Sequence, residues 1–211
     1  ILQPPFYQST LESTDMELGS RENEETLGFD PLRVINYGSI SAVISHEITH
    51  GYDDMGKKFD ADGNMVNWWT DEDIKLFDNK TQLMADQAAL YNFQNEGVTH
   101  SMKPKLTMGE NLADLAGMTL ALRAMLSESQ YVTSDGKPKK EALQLFFRAW
   151  ANMWRQNITV ASKIERLATD PHAPADFRAN LVKNIDEFYE AWDVVEGDDM
   201  YMHPSKRVRV W

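Results

Sequence analysis

Residues 43–54 read VISHEITHGYDD, with His46-Glu47-Ile48-Thr49-His50 at the centre. On a helix, side chains at i and i+4 lie one above the other, so His46 and His50 can turn their imidazoles toward one point. Glu47 is rotated about 100° from His46 on a helix of 3.6 residues per turn. It cannot share the role of the histidines, but it can reach a water between them. The competing reading is two ordinary histidines on an ordinary helix. Ile40, Val43, Ile44 and Ile48 weaken it: they predict a buried helix, where a His-Glu-His cluster is costly without a charge partner. The helix is expected to start near Leu32 or Asn36 and to stop at Gly51.

Such a helix offers two ligands to a metal, and the third must come from elsewhere. The position six residues after His50 is Gly56, not histidine, and the inverted order His-x-x-Glu-His is absent. Zinc also accepts carboxylate oxygen, and two histidines with a glutamate form one established catalytic set. The best candidates lie in GENLADLAG, residues 109–117, where Glu110 and Asp114 share one helical face. One carboxylate can take the metal while the other accepts the ring N–H of a ligand histidine. Thr107-x-x-Glu110 also fits a capping box, which would turn Glu110 back onto its own backbone. Spacing alone leaves the two readings of Glu110 about even.

Composition bounds the rest. A chain of 211 residues, 42% hydrophobic and 26% charged, is globular and long enough for one sizeable core. With 33 acidic against 21 basic residues the net charge is −12, and no basic stripe suits a nucleic acid. No apolar run approaches the roughly 18 residues of a membrane span. The absence of cysteine excludes disulfides and thiolate metal sites and fits a reducing compartment. The chain opens at Ile1 rather than Met, which leads us to expect a fragment or a processed chain.

Along the chain, residues 7–30 read as a polar, acidic loop. Thr70, followed by Asp71, Glu72 and Asp73, marks a helix start, and Ile74, Phe77, Met84 and Tyr91 carry that helix toward Asn95-Glu96-Gly97. A further helix is expected from Thr107 through Met125. Another is lined by Leu143, Phe146, Phe147, Trp150 and Trp154. A last one uses Phe177, Leu181, Phe188 and Trp192. No strong alternating strand is visible. Asp60-x-Asp62-x-Asn64 imitates the start of a calcium loop, but Met65 stands where its turn wants glycine. Trp68 and Trp69 read as core anchors.

Five stretches in order carry a resemblance: ILQPPF at the start, NYGSISAVISHEITHGYDDMGKKFDADGN over 36–64, GENLADLAG, PHAPADFRAN over 171–180, and RVRVW at the end. Together they make the chain resemble the C-terminal part of the neprilysin and endothelin-converting-enzyme family of zinc endopeptidases. The resemblance implies a mainly α fold, the thermolysin-like (gluzincin) catalytic subdomain of a zincin, without the upstream sheet and the helical domain that closes over the cleft. It implies one catalytic domain over 1–211, with the acidic loop as an insertion. By the same resemblance His46, His50 and Glu110 bind one Zn2+, Glu47 is the general base, and Asp114 hydrogen-bonds a zinc histidine, most simply His46. His172 would stabilise the oxyanion and Arg178 would hold a substrate carbonyl. Taken alone, His172 reads as a surface histidine and Arg178 as an exposed helix charge.

The chain departs from the family pattern in places. Ser39, Ser41 and Ser45 replace glycines, and Val208 replaces a cysteine, which points to a bacterial-type oligopeptidase in the cytoplasm. The expected partners are oligopeptide substrates and the missing N-terminal part of the same protein. The alternative from another class is a zinc-stabilised helical binding module. An aminopeptidase is disfavoured, since no Gly-x-Met-x-Asn segment is present.

Overall fold

The structure, a computed structural model, describes residues 25–210. The acidic stretch expected as a loop therefore lies outside the described residues as far as position 24, as do ILQPPF and Trp211. Asp30 opens the first helix, α1 (Pro31–Asn36): its carboxylate accepts the Leu32 and Arg33 amides, and Pro31 sits where no amide hydrogen bond is required. The chain then widens into a π-helical turn, Tyr37–Ser41, and continues as α2 (Ala42–Thr49), which carries the HExxH residues. The run tightens to a 3-10 turn at His50–Tyr52.

Thr70 caps α3 (Asp71–Ala89) by accepting the Asp73 amide, with three acidic residues in the first turn, as its sequence predicts. The helix ends at Ala89 and does not run to Gly97. An antiparallel hairpin follows, β1 (Asn92–Asn95) and β2 (Val98–Ser101), with Asn95 opposite Val98. Its two turn residues, Glu96 and Gly97, both have positive φ, the tight geometry that matches strand twist. The central helix is α4 (Met108–Leu126), and α5 (Lys140–Met153) lies across the other side of the core. A helix with no counterpart in the sequence reading, α6 (Val160–Thr169), is capped by Thr159. The expected last helix is broken into α7 (Ala175–Ala179), a 3-10 stretch Asn180–Asn184 and α8 (Asp186–Trp192).

Helix α4 is apolar nearly all round, and Leu112, Met118, Leu122 and Met125 are fully buried, so it forms the axis of the core. Tyr131, Phe146, Phe147, Trp150 and Phe188 fill the space around it. Helix α2 crosses α4 closely because residue 117 is glycine. A Cβ there would sit 2.5 Å from the Ala42 carbonyl oxygen and 2.7 Å from the His46 amide nitrogen. This close approach brings the histidine helix onto the helix of Glu110 and Asp114.

Two packing expectations are corrected. Ile40, Ile44 and Ile48 were read as buried but are 54%, 55% and 63% exposed, because α2 packs on α4 through the opposite face, Ala42, His46 and Thr49. Trp69 does pack on Phe77 in the core, whereas Trp68 is half exposed. The calcium-like loop is a self-contained turn: Asp60 uses its carboxylate on the Asp62 and Asn64 amides.

Candidate metal centre

His46 and His50 stand on one face of the α2 run, and their Nε2 atoms lie 3.1 Å apart. Glu110, in the first turn of α4, brings Oε2 to 3.2 Å from His46 Nε2 and 3.8 Å from His50 Nε2. One ligand atom from each of the three residues falls within 4.8 Å of the others, the spread a single ion can span. The Thr107 side chain makes no capping bond, so Glu110 turns inward to the histidines.

The other nitrogen of each ring is committed. His46 Nδ1 is 2.9 Å from Asp114 Oδ1, and His50 Nδ1 is 2.8 Å from Asp53 Oδ2. A carboxylate only accepts, so both rings are Nδ1–H donors, and the remaining Nε2 atoms face Glu110. Asp53 is itself fixed, since its Oδ1 accepts the Met55 and Gly56 amides. Burial alone would lower the His46 pKa, but the Asp114 and Glu110 carboxylates outweigh it and push the pKa up to about 9. The His46 ring beside Glu110 holds that carboxyl below its ordinary range, against the opposing effect of burial.

Glu110 Oε2 is buried and has no hydrogen-bond partner although imidazole nitrogens surround it. Two ring nitrogens and one carboxylate oxygen aimed at a common point form an electron-rich pocket that a cation or a proton must neutralise. Imidazole and carboxylate without thiolate suit zinc. The residues therefore fit a zinc ion, and Asp114 and Asp53 would fix the two rings that could hold it.

Glu47 follows His46 on α2 and is exposed. His172 reaches the same place from the loop before α7: its Nε2 is 3.2 Å from Glu110 Oε2, and its side chain is 42% exposed. Asp170 anchors it, accepting the His172 amide at 2.8 Å and Nδ1 at 2.9 Å. Arg178, on α7, is not the exposed charge its isolated reading suggests. Its Nε and Nη2 form a fork onto Asp114 at 2.6 and 2.7 Å, and only 12% of the side chain is exposed.

All seven residues singled out in the sequence thus lie around one centre or on helices bordering it. Asp53 and Asp170 were missed. A carboxylate three residues past the second histidine, and one two residues before His172, were the available signals.

Two histidines one turn apart, a glutamate from a crossing helix and carboxylates behind the rings define the His₂Glu class of metallopeptidase site. Residues 28–208 match peptidase family M13, and the chain belongs to that family. It is 37% identical over 215 residues to the neutral endopeptidase of Lactococcus lactis, with all of this chain matched to 28% of that protein. Human neprilysin is 33% identical over 218 residues, with all of this chain matched to 26% of it. Among solved structures, a zinc metalloprotease of Mycobacterium tuberculosis in complex with an inhibitor superposes with a TM-score of 0.75. That pair is 40% identical, covering 87% of this chain and 29% of the other. The chain thus spans little more than a quarter of the relatives it matches.

Proposed function

We propose that the chain is the zinc-binding catalytic part of a metalloendopeptidase that hydrolyses oligopeptides. The observation that carries this reading is the convergence of His46 Nε2, His50 Nε2 and the unpartnered Glu110 Oε2 on one point. Zinc held there supplies a Lewis acid that polarises a scissile carbonyl and makes a water acidic enough to attack near neutral pH. Glu47 takes the proton as the water oxygen bonds to the carbonyl carbon, then returns it to the amine as the C–N bond breaks. His172 in its imidazolium form, with Nδ1–H held by Asp170, donates from Nε2–H to the developing oxyanion, a contribution typically worth ~3 kcal/mol. Arg178 keeps its fork on Asp114 and offers Nη1, which Asp114 does not occupy, to a substrate carbonyl.

The test is Glu47→Gln, assayed with an internally quenched peptide and by zinc content, in this chain and in a polypeptide of the relatives' full length. Zinc should stay bound while turnover disappears; substantial residual turnover would remove Glu47 from the base role.

A second reading is a zinc-stabilised helical binding module, which shares the metal centre and the exposed stripe of Ile40, Ile44 and Ile48 along the metal helix. The relatives carry about three quarters of their length beyond the matched segment. A segment of the same protein corresponding to that further length is the occupant we assign to the stripe. The peptide assay separates the readings, because a binding module keeps its zinc and shows no turnover in either length.

A further inference from the structure

Helix α5 and its C-cap residue place two indoles, Trp150 and Trp154, against the residue that holds Asp114. Trp150, 1% exposed, donates from Nε1 to the Arg178 backbone carbonyl at 3.2 Å. The Trp154 ring lies under the other end of Arg178, with the guanidinium carbon 3.9 Å from its ring centroid. The two rings also meet edge to face, 5.2 Å apart. Beyond the guanidinium stand the fork onto Asp114 and the Asp114 bond to His46 Nδ1. A planar cation between an aromatic face and a buried carboxylate is held in orientation from both sides, which an aliphatic neighbour could not do.

We infer that Trp154 is a positioning residue for the metal centre, acting through Arg178 and Asp114 to fix the His46 ring. It touches none of the three metal-facing atoms. Its effect travels along contacts already described: indole face to guanidinium, guanidinium to carboxylate, carboxylate to ring N–H. The inference rests on the zinc reading for its consequence and on the zinc-free geometry for its cause, so the two are measured separately.

In zinc-free protein, exchange of the Arg178 Nε–H is followed by 1H–15N NMR in wild type, Trp154→Met and Trp154→Phe. Methionine and phenylalanine are both smaller than tryptophan and lose comparable bulk, but only phenylalanine keeps a π face. Exchange should quicken about tenfold in the Met variant and stay near wild type in the Phe variant. Zinc affinity, measured by chelator competition, should fall about tenfold in the Met variant and recover with Phe. Arg178→Lys, which leaves both indoles in place, should shift the Trp154 indole N–H signal even if the Met variant does not fold. Combined with Trp154→Met it should weaken zinc binding less than additively.

Wild-type exchange and affinity in the Met variant would overturn the inference. Equal damage from Met and Phe, or an indole signal indifferent to Arg178→Lys, would do the same. If the Arg178 signal responds but wild type takes up no zinc, the positioning stands and the zinc reading falls.

Discussion

Replacing Gly117 by alanine should separate the two helices that build the metal centre. The new Cβ would lie 2.5 Å from the Ala42 oxygen, 2.7 Å from the His46 nitrogen and 2.9 Å from its Cα, where ordinary contact begins near 3.4 Å. All three atoms are backbone and cannot swing aside, so α2 and α4 must part by roughly 1 Å, a strain of about 1–3 kcal/mol. Alanine recovers about 1 kcal/mol of helix propensity, leaving a net loss of about 0–2 kcal/mol. For a chain of this size that is a fall in melting temperature of at most about 8 °C. The metal centre should suffer more than the fold, because its distances tolerate only about 0.2 Å. His46 rides on α2 and Glu110 on α4, so zinc affinity should drop on the order of 100-fold. Melting of the zinc-free protein and chelator competition measure the two effects. Gly51→Ala is the control, since a Cβ there meets nothing within 4 Å. Wild-type zinc affinity in Gly117→Ala would refute the claim that close helix approach sets the ligand geometry.

Asp53→Asn keeps an acceptor for the Met55 and Gly56 amides but weakens the hold on His50 Nδ1, so zinc affinity should fall about 10-fold to 100-fold with little change in melting. Burial alone would raise the Asp170 pKa, but bonds from the His172 amide, Arg166 and the His172 ring outweigh it and hold it below the ordinary 3.8. A depressed folded pKa means that this contribution to stability is complete above about pH 4 and is lost as pH falls through the folded value. Asp170→Asn should therefore flatten the acid limb of a melting-temperature profile, and an unchanged limb would contradict the assignment. Ile44→Lys should leave the melting of this chain within about 2 °C, because the side chain is exposed. In a polypeptide of full length the same change should lower stability by several degrees, and equal effects in both would argue against a covered stripe.

The helix of His46 and His50 was legible because its information is local: spacing puts two rings on one face, whatever lies around it. The cap at Thr70 is local for the same reason, a side-chain oxygen beside its own helix start. Glu110 was half legible. Its spacing from Thr107 fits a cap as well as a ligand, and only the crossing of α2 at Gly117 decides which way it turns.

The long-range partner of Arg178 was not legible. Nothing near Arg178 in the chain announces a partner on α4, so a buried fork reads as an exposed charge. The hairpin escaped notice because four-residue strands of mostly polar residues show almost no alternation, and Asn95-Glu96-Gly97 also resembles a helix end. Helix α6 is a different case: Val160, Ile164 and Leu167 stand at helical spacing behind the capping Thr159, so its signal is present in the sequence although the sequence reading assigns no helix there. The isoleucine stripe failed for a different reason. Periodicity says that Ile40, Ile44 and Ile48 share a face, but it cannot say whether the covering surface belongs to the same 211 residues.

The wide turn at Tyr37–Ser41 makes chain length part of the chemistry. Upstream of it, α1 packs on α5; downstream, α2 packs on α4. Each residue added or removed between those two anchored segments would rotate α2 by about 100° relative to α1. His46 would then be carried past Asp114 and Glu110 with every side chain still present in the sequence. Substitutions at the more exposed positions of this turn can be absorbed one at a time, though not at Gly38, where a Cβ would lie 2.3 Å from the Phe146 carbonyl oxygen, whereas a single-codon deletion would act like a frameshift in space. The turn is therefore a place where insertions and deletions should be purged, in contrast to the surface turn at Ser134–Lys137, whose length sets the phase of nothing.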